Sequence, residues 1–194
     1  MSRAHILSEI KRNQPADREL PVIDIPITTS HADWIEALKV RLDILHVTVH
    51  EVVDFAAINN ILQTQNSDGR MVTTIPELSE SVTFIENIKE DAHQLQDVEL
   101  AIIPAHFGVA ENGAMWITDP LIKYRVLPFI TQQLAVVVKR ENIVFNMHQA
   151  YHLIEGTNYD FGVFIAGPSK TADIEQSLVL GAHGPKGMTV FIMA

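Results

Sequence analysis

Apolar positions along this chain switch repeatedly between a helical and an extended period. Ile6, Leu7 and Ile10 fall at helical spacing and predict a short amphipathic helix over residues 1–12. Gln14 to Pro26 combines prolines with alternating charge and reads as an extended arm. Ser30 opens a second helix, with Asp33 three residues on as its capping-box partner and Trp34, Leu38, Leu42 and Leu45 as the inward stripe. His46 to Val49 is a short β-branched run, read as the first strand. Helical spacing returns from Glu51 to Gln63 through Val52, Phe55, Ile58 and Leu62. Asn66 to Gly69 is a turn, and Met71 to Ile75 a second strand. Leu78 to Asp97 is acidic and partly helical. Leu100 to Ile103 is a third strand. Phe107 to Ala110 and Ala114 to Thr118 read as strands flanking a turn at residues 111–113. Tyr124 to Ile130 is expected to be a short helix despite Pro128, and Leu134 to Val138 a buried strand. Asn146 to Ile154 is helical, with Met147, Tyr151 and Ile154 inward. Phe161 to Ala166 and Thr189 to Met193 are the last strands.

Two consequences follow from this order. Helices and strands alternate, and several strands are apolar at every position instead of every second one. Both facts predict a three-layer α/β fold, a mostly parallel sheet with helices on both faces. Residues 1–29 form a helix and arm ahead of a single domain spanning 30–194. There is no internal repeat and no low-complexity segment.

Composition narrows the class. With 194 residues, 47% hydrophobic and 20% charged, the chain can bury a core of useful size. No apolar run reaches the roughly 18–20 residues of a membrane span, and the first residues lack the apolar stretch of a signal peptide. The chain is therefore expected to be cytoplasmic. The net charge is −10, and between Glu80 and Asp119 eight acids face Lys89 alone. Such a surface repels nucleic acid and anionic membrane. An anionic ligand needs a local exception, and two exist: Lys123 with Arg125, and the glycine-rich turns carrying Lys170 and Lys186. The sequence has no cysteine, so it offers no thiolate for a disulfide, a zinc–thiolate site or a cysteine-ligated iron–sulfur cluster.

Two segments concentrate chemistry. In the first, Gly108, Asn112 and Gly113 flank Glu111 in a turn between apolar strands. A partly desolvated carboxylate there can act as general base or nucleophile, or it can cap backbone N–H groups. The second is the tail. An apolar run stops at Gly167-Pro168, and Ser169, Lys170 and Thr171 follow, hydroxyls and a cation fit to hold an anion. Thr171 can instead cap a helix from Ala172, with Asp173 and Glu175 in its first turn. His183 and Gly184 stand in a further glycine-rich turn. An imidazole there can move a proton or brace the turn. Glycine lets backbone N–H groups approach a ligand, so the acidic loop and both tail turns are expected at one rim of the sheet, around one pocket.

The string Gly167-Pro-Ser-Lys-Thr-Ala-Asp-Ile-Glu175, with Leu178-Val-Leu-Gly-Ala-His-Gly-Pro185, resembles the C-terminal signature of the lactate-utilisation (LUD) domain family. The resemblance runs from about Leu100 to Met193. It implies the fold of the ribose-5-phosphate isomerase/CoA-transferase type. At Glu111 the family usually reads Ala-Glu-Thr-Gly. Here Asn112 stands for the threonine, and the string is similar to the Ser-Glu-Asn-Gly of class I CoA transferases, whose glutamate attacks an acyl-CoA. The glycine-rich CoA signature of those enzymes is absent.

Other polar residues have plainer readings. His148 and His152 lie one helical turn apart without a third ligand, so no metal site is expected. His46 and His50 have the same standing. His106 is placed near Glu111 as a structural histidine. Trp34 and Trp116 are read as core.

Three functions remain in view. The resemblance implies a subunit of a system oxidising L-lactate to pyruvate, binding a small anionic metabolite beside partner subunits that carry the iron–sulfur clusters; this chain would hold no cofactor. A second reading is a stand-alone enzyme on a small carboxylate, phosphosugar or acyl thioester, with Glu111 as base or nucleophile. A third is a non-catalytic scaffold. A homo-oligomer stays open in each.

Overall fold

Ten strands and six helices make up the computed structural model of the protein, which describes residues 2–19, 21, 30–64, 69–85, 91–170 and 181–194. Helix α1 (Arg3–Arg12) buries none of its residues, and Ile6, Leu7 and Ile10 are all about half exposed. Helix α2 (His31–Ile44) starts at a full capping box: Ser30 Oγ accepts from Asp33 N, and Asp33 accepts from Ser30 N at 2.8 Å. The Ser30 hydroxyl, donating at 2.7 Å, and then the Ser30 N–H hold the Asp33 carboxyl below its usual range. Ile35, Leu38 and Leu42 are its fully buried residues; Trp34 and Leu45 pack at the edge of the same cluster.

The central sheet has six strands in the order β1 (Val47–Val52), β10 (Gly187–Met193), β7 (Gln133–Lys139), β4 (Val98–Pro104), β2 (Arg70–Thr73) and β3 (Thr83–Phe84). Every neighbouring pair is parallel. Strand β7 has Leu134 to Val138 buried without interruption, as a strand covered on both faces requires. Helix α3 (Phe55–Thr64) covers one face. Its Ile58 and Leu62 pack with Val137, Ile102 and Phe191. The other face packs on α2, on the short helices α4 (Asp119–Ile122) and α5 (Leu127–Ile130), and on a second sheet.

That second sheet is the element the periodicity did not predict. Its order is β8 (Ile143–Val144), β5 (Phe107–Val109), β6 (Met115–Thr118) and β9 (Gly162–Ile165). β5 and β6 form an antiparallel hairpin, β9 adds antiparallel to β6, and β8 lies parallel to β5. Met115 and Ile117 face the main core, while Phe107, Val109 and Trp116 face helix α6 (Met147–Ile154). Both sides of β6 are thus buried, so its four residues are apolar or neutral throughout. Such a strand carries no alternation from which to tell which sheet it joins.

Several boundaries differ from expectation. β1 continues to Val52, so α3 begins only at Phe55, after a bend at Val53-Asp54. The described part of the acidic stretch holds the two-residue β3 and a 3-10 turn at Ala92–Leu95, with another 3-10 turn at Pro76–Leu78 leading into it; residues 86–90 lie outside the described residues. In α6 it is Ala150 that is fully buried, whereas Tyr151 is 62% exposed, its ring edge-on to that of Phe164. A small residue lets the helix sit close on the second sheet, and the bulky Tyr151 is left at its flank. Among the described residues no helix is long and apolar enough to cross a membrane.

Candidate functional site

The acidic loop is a tight link between β5 and β6. Gly113 N donates to Val109 O at 2.9 Å, Ala114 N donates to Asn112 Oδ1 at 3.1 Å, and Gly113 has φ +75°. Glu111 N donates to Phe145 O at 3.0 Å, and Glu111 Oε2 accepts from Met147 N at 2.9 Å. Met147 is the first residue of α6, so the carboxylate lies at the positive end of that helix. Glu111 is exposed. The expectation of a partly desolvated acid is therefore corrected: the turn projects outward, over a helix start, and water reaches the side chain. Gly108 is a packing position. A Cβ there would press on Ile143 Cδ1 at 3.0 Å and Met115 Sδ at 3.1 Å.

The tail turns stand beside this loop. β9 pairs antiparallel with β6, Met115 opposite Ile165, and continuing that register brings Gly113 level with Gly167. Both glycines press on Leu45 at the end of α2: a Cβ would lie 2.9 Å from Leu45 Cδ1 at Gly113 and 3.1 Å from Leu45 Cβ at Gly167, where φ is +81°. The two tail turns join each other through the backbone. Ser169 N donates to Pro185 O at 2.9 Å and Gly181 N donates to Ser169 O at 3.1 Å. Gly184 sits against Ser169. Lys170, His183 and Lys186 are exposed. Thr171, Asp173 and Glu175 lie outside the described residues. The described pieces lie at one rim, the amino-terminal end of β1 and β10, but the expected single pocket is corrected: the described tail residues do not line the cavity beside Glu111. The local basic exception at Arg125 is paired with Asp119 at 3.3 Å and Asp160 at 3.8 Å.

Three cavities bear on chemistry. One of about 380 Å³ lies beside the acidic loop, lined by Arg41, Glu111, Asn146 and His148 with Ala37 and Phe145. Among the described residues Arg41 has no ion-pair partner. None of Gly167, Ser169, Lys170, His183 or Gly184 lines this cavity or the other two. The others sit at the carboxyl ends of the parallel strands, where open α/β sheets commonly hold ligands. Pro104, Lys139 and Met193 end β4, β7 and β10 and line one of about 430 Å³, with Thr74 just past β2. The third, about 500 Å³, opens between the second sheet and the chain after α6, lined by Trp116, Tyr159 and Asn158 among others.

His106 lines both carboxyl-end cavities. Its Nε2 shares a 2.7 Å hydrogen bond with Thr118 Oγ1. The residue has an exposed edge, yet partial burial of the ring lowers its pKa below the usual imidazole value. It lines neither side of the Glu111 cavity, which corrects its expected place: the hairpin carries residues 106 and 111 to its opposite ends. His148 and His152 are both exposed, and among the described residues no group of three or more His, Cys, Asp or Glu is placed to hold a metal ion.

Sequence reasoning missed Arg41, Lys139 and Asn142. Arg41 carries no motif signal; it is one more polar residue on a solvated helix face. The strand-end residues did leave a trace. Thr74, His106 and Lys139 are among the first polar residues after apolar parallel strands, and such positions line the carboxyl rim of this sheet type.

The architecture defines an α/β protein with a wholly parallel central sheet. The LUD domain family profile matches residues 79–193, more than half of the chain, and the chain belongs to that family. Lactate utilization protein C of Bacillus pumilus is 25% identical over 183 residues, covering 80% of this chain and 76% of that protein. The protein of the same name from Oceanobacillus iheyensis is 21% identical over 198 residues, covering 95% and 84%. That from Anoxybacillus flavithermus is 33% identical over a shorter stretch, 44% of this chain and 39% of its own length. The crystal structure of a DUF162 family protein from Deinococcus radiodurans shares the fold, with TM-score 0.63 at 16% identity over 86% of this chain and 99% of that one.

Proposed function

We propose that this chain serves in lactate utilisation as the subunit that binds a small anionic metabolite, beside partner subunits that carry iron–sulfur clusters. The relatives named lactate utilization protein C supply the metabolic context. One observation carries the ligand half of the reading: Arg41, with no ion-pair partner among the described residues, shares an open cavity with the family's acidic loop. A cation with no competing carboxylate bonded to it is free to take a small carboxylate in a bidentate fashion. Glu111 and His148 on the same wall are positioned to meet a hydroxyl or a proton of that molecule. Taking lactate to pyruvate removes two electrons and two protons. With no cysteine in the sequence, the electrons pass to clusters in the partners.

Calorimetric titration with L-lactate and with pyruvate tests the ligand. Saturable binding weakened at least tenfold by Arg41→Ala is the expected result; no heat at millimolar ligand refutes it. Affinity capture from lactate-grown cells of the native host tests the assembly, which fails if no iron–sulfur protein is retained. Growth on lactate after deletion of the gene, with and without complementation, tests the role itself.

A further inference from the structure

The two carboxyl-end cavities have no part in the reading above, and their walls describe a different ligand. They meet along His106, Pro120 and Asn142, which line both. At about 500 and 430 Å³, each is of the size that encloses a drug- or cofactor-sized molecule, and a three-carbon acid would leave either largely filled with water.

The larger lobe has an aromatic wall built from Phe107, Trp116 and Tyr159. Trp116 is locked in place. Tyr159 meets it edge-on at 5.4 Å and Phe164 packs at 4.5 Å. Gly162 is bare because a Cβ there would run into the far edge of the indole. Around this wall stand amide and hydroxyl groups: Asn142, Asn158, Thr157 and Thr118. Rigid rings with neutral donors and acceptors at their margin suit a flat ring that carries hydrogen-bonding atoms on its edge. The charged side chain of this lobe is Glu141, which disfavours an anion here. The other lobe carries both signs: Glu77 lines it, and Lys139 ends β7 there, 3.7 Å from Glu141 at the seam between the two.

We propose that this cleft binds a planar nitrogen-heteroaromatic molecule, with its ring in the aromatic lobe and an anionic tail reaching Lys139. His106 stands at the junction. Thr118 holds its Nε2, and the residue lines both lobes. Partial burial of the ring favours the neutral imidazole, in which one ring nitrogen donates and the other accepts.

The intrinsic reporter is Trp116. The chain has two tryptophans, and Trp34→Phe leaves Trp116 alone. Titration of that variant with FMN, riboflavin and AMP reads occupancy of the aromatic lobe directly. The expected result is saturable quenching by at least one of the three. Tyr159→Ala and Asn142→Ala, both at accessible positions, each raise its Kd tenfold or more. Lys139→Ala weakens FMN or AMP by a similar factor and leaves riboflavin unchanged. Arg41→Ala has no effect on this binding, which keeps the outcome separate from that of the lactate titration. Absence of saturable quenching at millimolar probe, or binding indifferent to both Tyr159→Ala and Asn142→Ala, overturns the proposal. Equal response of the phosphorylated and unphosphorylated probes to Lys139→Ala overturns the assignment of the tail.

Discussion

Replacing Glu111 separates a structural role from a chemical one. Its carboxylate accepts the N–H of Met147 at 2.9 Å, one of the amides left without an intrahelical partner at the start of α6. Neighbouring amides have their own acceptors: Asn146 Oδ1 takes Gln149 N at 3.0 Å, and Gln149 Oε1 takes Phe145 N at 2.7 Å. Truncation to alanine removes one cap among several, at an exposed site where water replaces it. The loss therefore belongs at the low end of the capping range, about 0.5–1 kcal/mol. For a chain of this size that lowers Tm by about 1–4 °C. Glu111→Gln keeps an acceptor and loses the charge that favours the helix dipole, so it falls between wild type and alanine. Its deficit shrinks in about 1 M salt, where the charge is screened. Scanning calorimetry of the three proteins at low and high salt measures this order. An alanine variant as stable as wild type refutes the capping account. A glutamine variant that keeps its Tm but no longer supports growth on lactate would show the carboxylate acting on something besides α6.

Three further outcomes are expected. Gly162→Ala forces the buried edge of Trp116 to move, so unfolding measurements should show a loss of about 1–3 kcal/mol, together with a shifted Trp116 emission; an unchanged spectrum contradicts the contact. Gly113→Ala should cost more than Gly156→Ala. Both sites have positive φ, worth about 1 kcal/mol, but a Cβ at Gly113 also meets Leu45 at 2.9 Å, whereas Gly156 has open space; equal urea midpoints would remove the steric part. The Lys39 and Arg140 side chains hold the Glu51 carboxyl below its ordinary value of 4.5. Because the folded pKa is the lower one, this contribution is complete above the ordinary value and fades as pH falls through the depressed one. Glu51 and Arg140 are exposed and Lys39 is partly so, so Glu51→Gln should remove only about 0.5–1 kcal/mol at pH 7 and flatten the acid limb of the stability curve; a parallel acid limb would count against the linkage.

The two halves of the molecule's surface chemistry sit at opposite ends of one sheet. The family's glycine turns and acidic loop gather at the amino-terminal rim around Leu45, whereas the large cavities open at the carboxyl rim. A parallel sheet imposes this division, since all its strands start on one side and finish on the other.

Local order was legible in the sequence because local forces set it. The capping box at Ser30 and Asp33, the continuously apolar β4 and β7, and the glycine turns each depend on neighbours a few positions away. They led to the α/β class and to the family. Pairing between distant segments carries no such signal. Nothing in Met115 to Thr118 says that β6 leaves the main sheet to pair with β5 and β9, because a strand buried on both faces reads alike in either sheet. That choice sends His106 away from Glu111, turns the acid outward over α6, and opens the aromatic lobe beside Trp116. Tertiary packing alone decided these placements, since each is fixed by contacts between residues far apart along the chain.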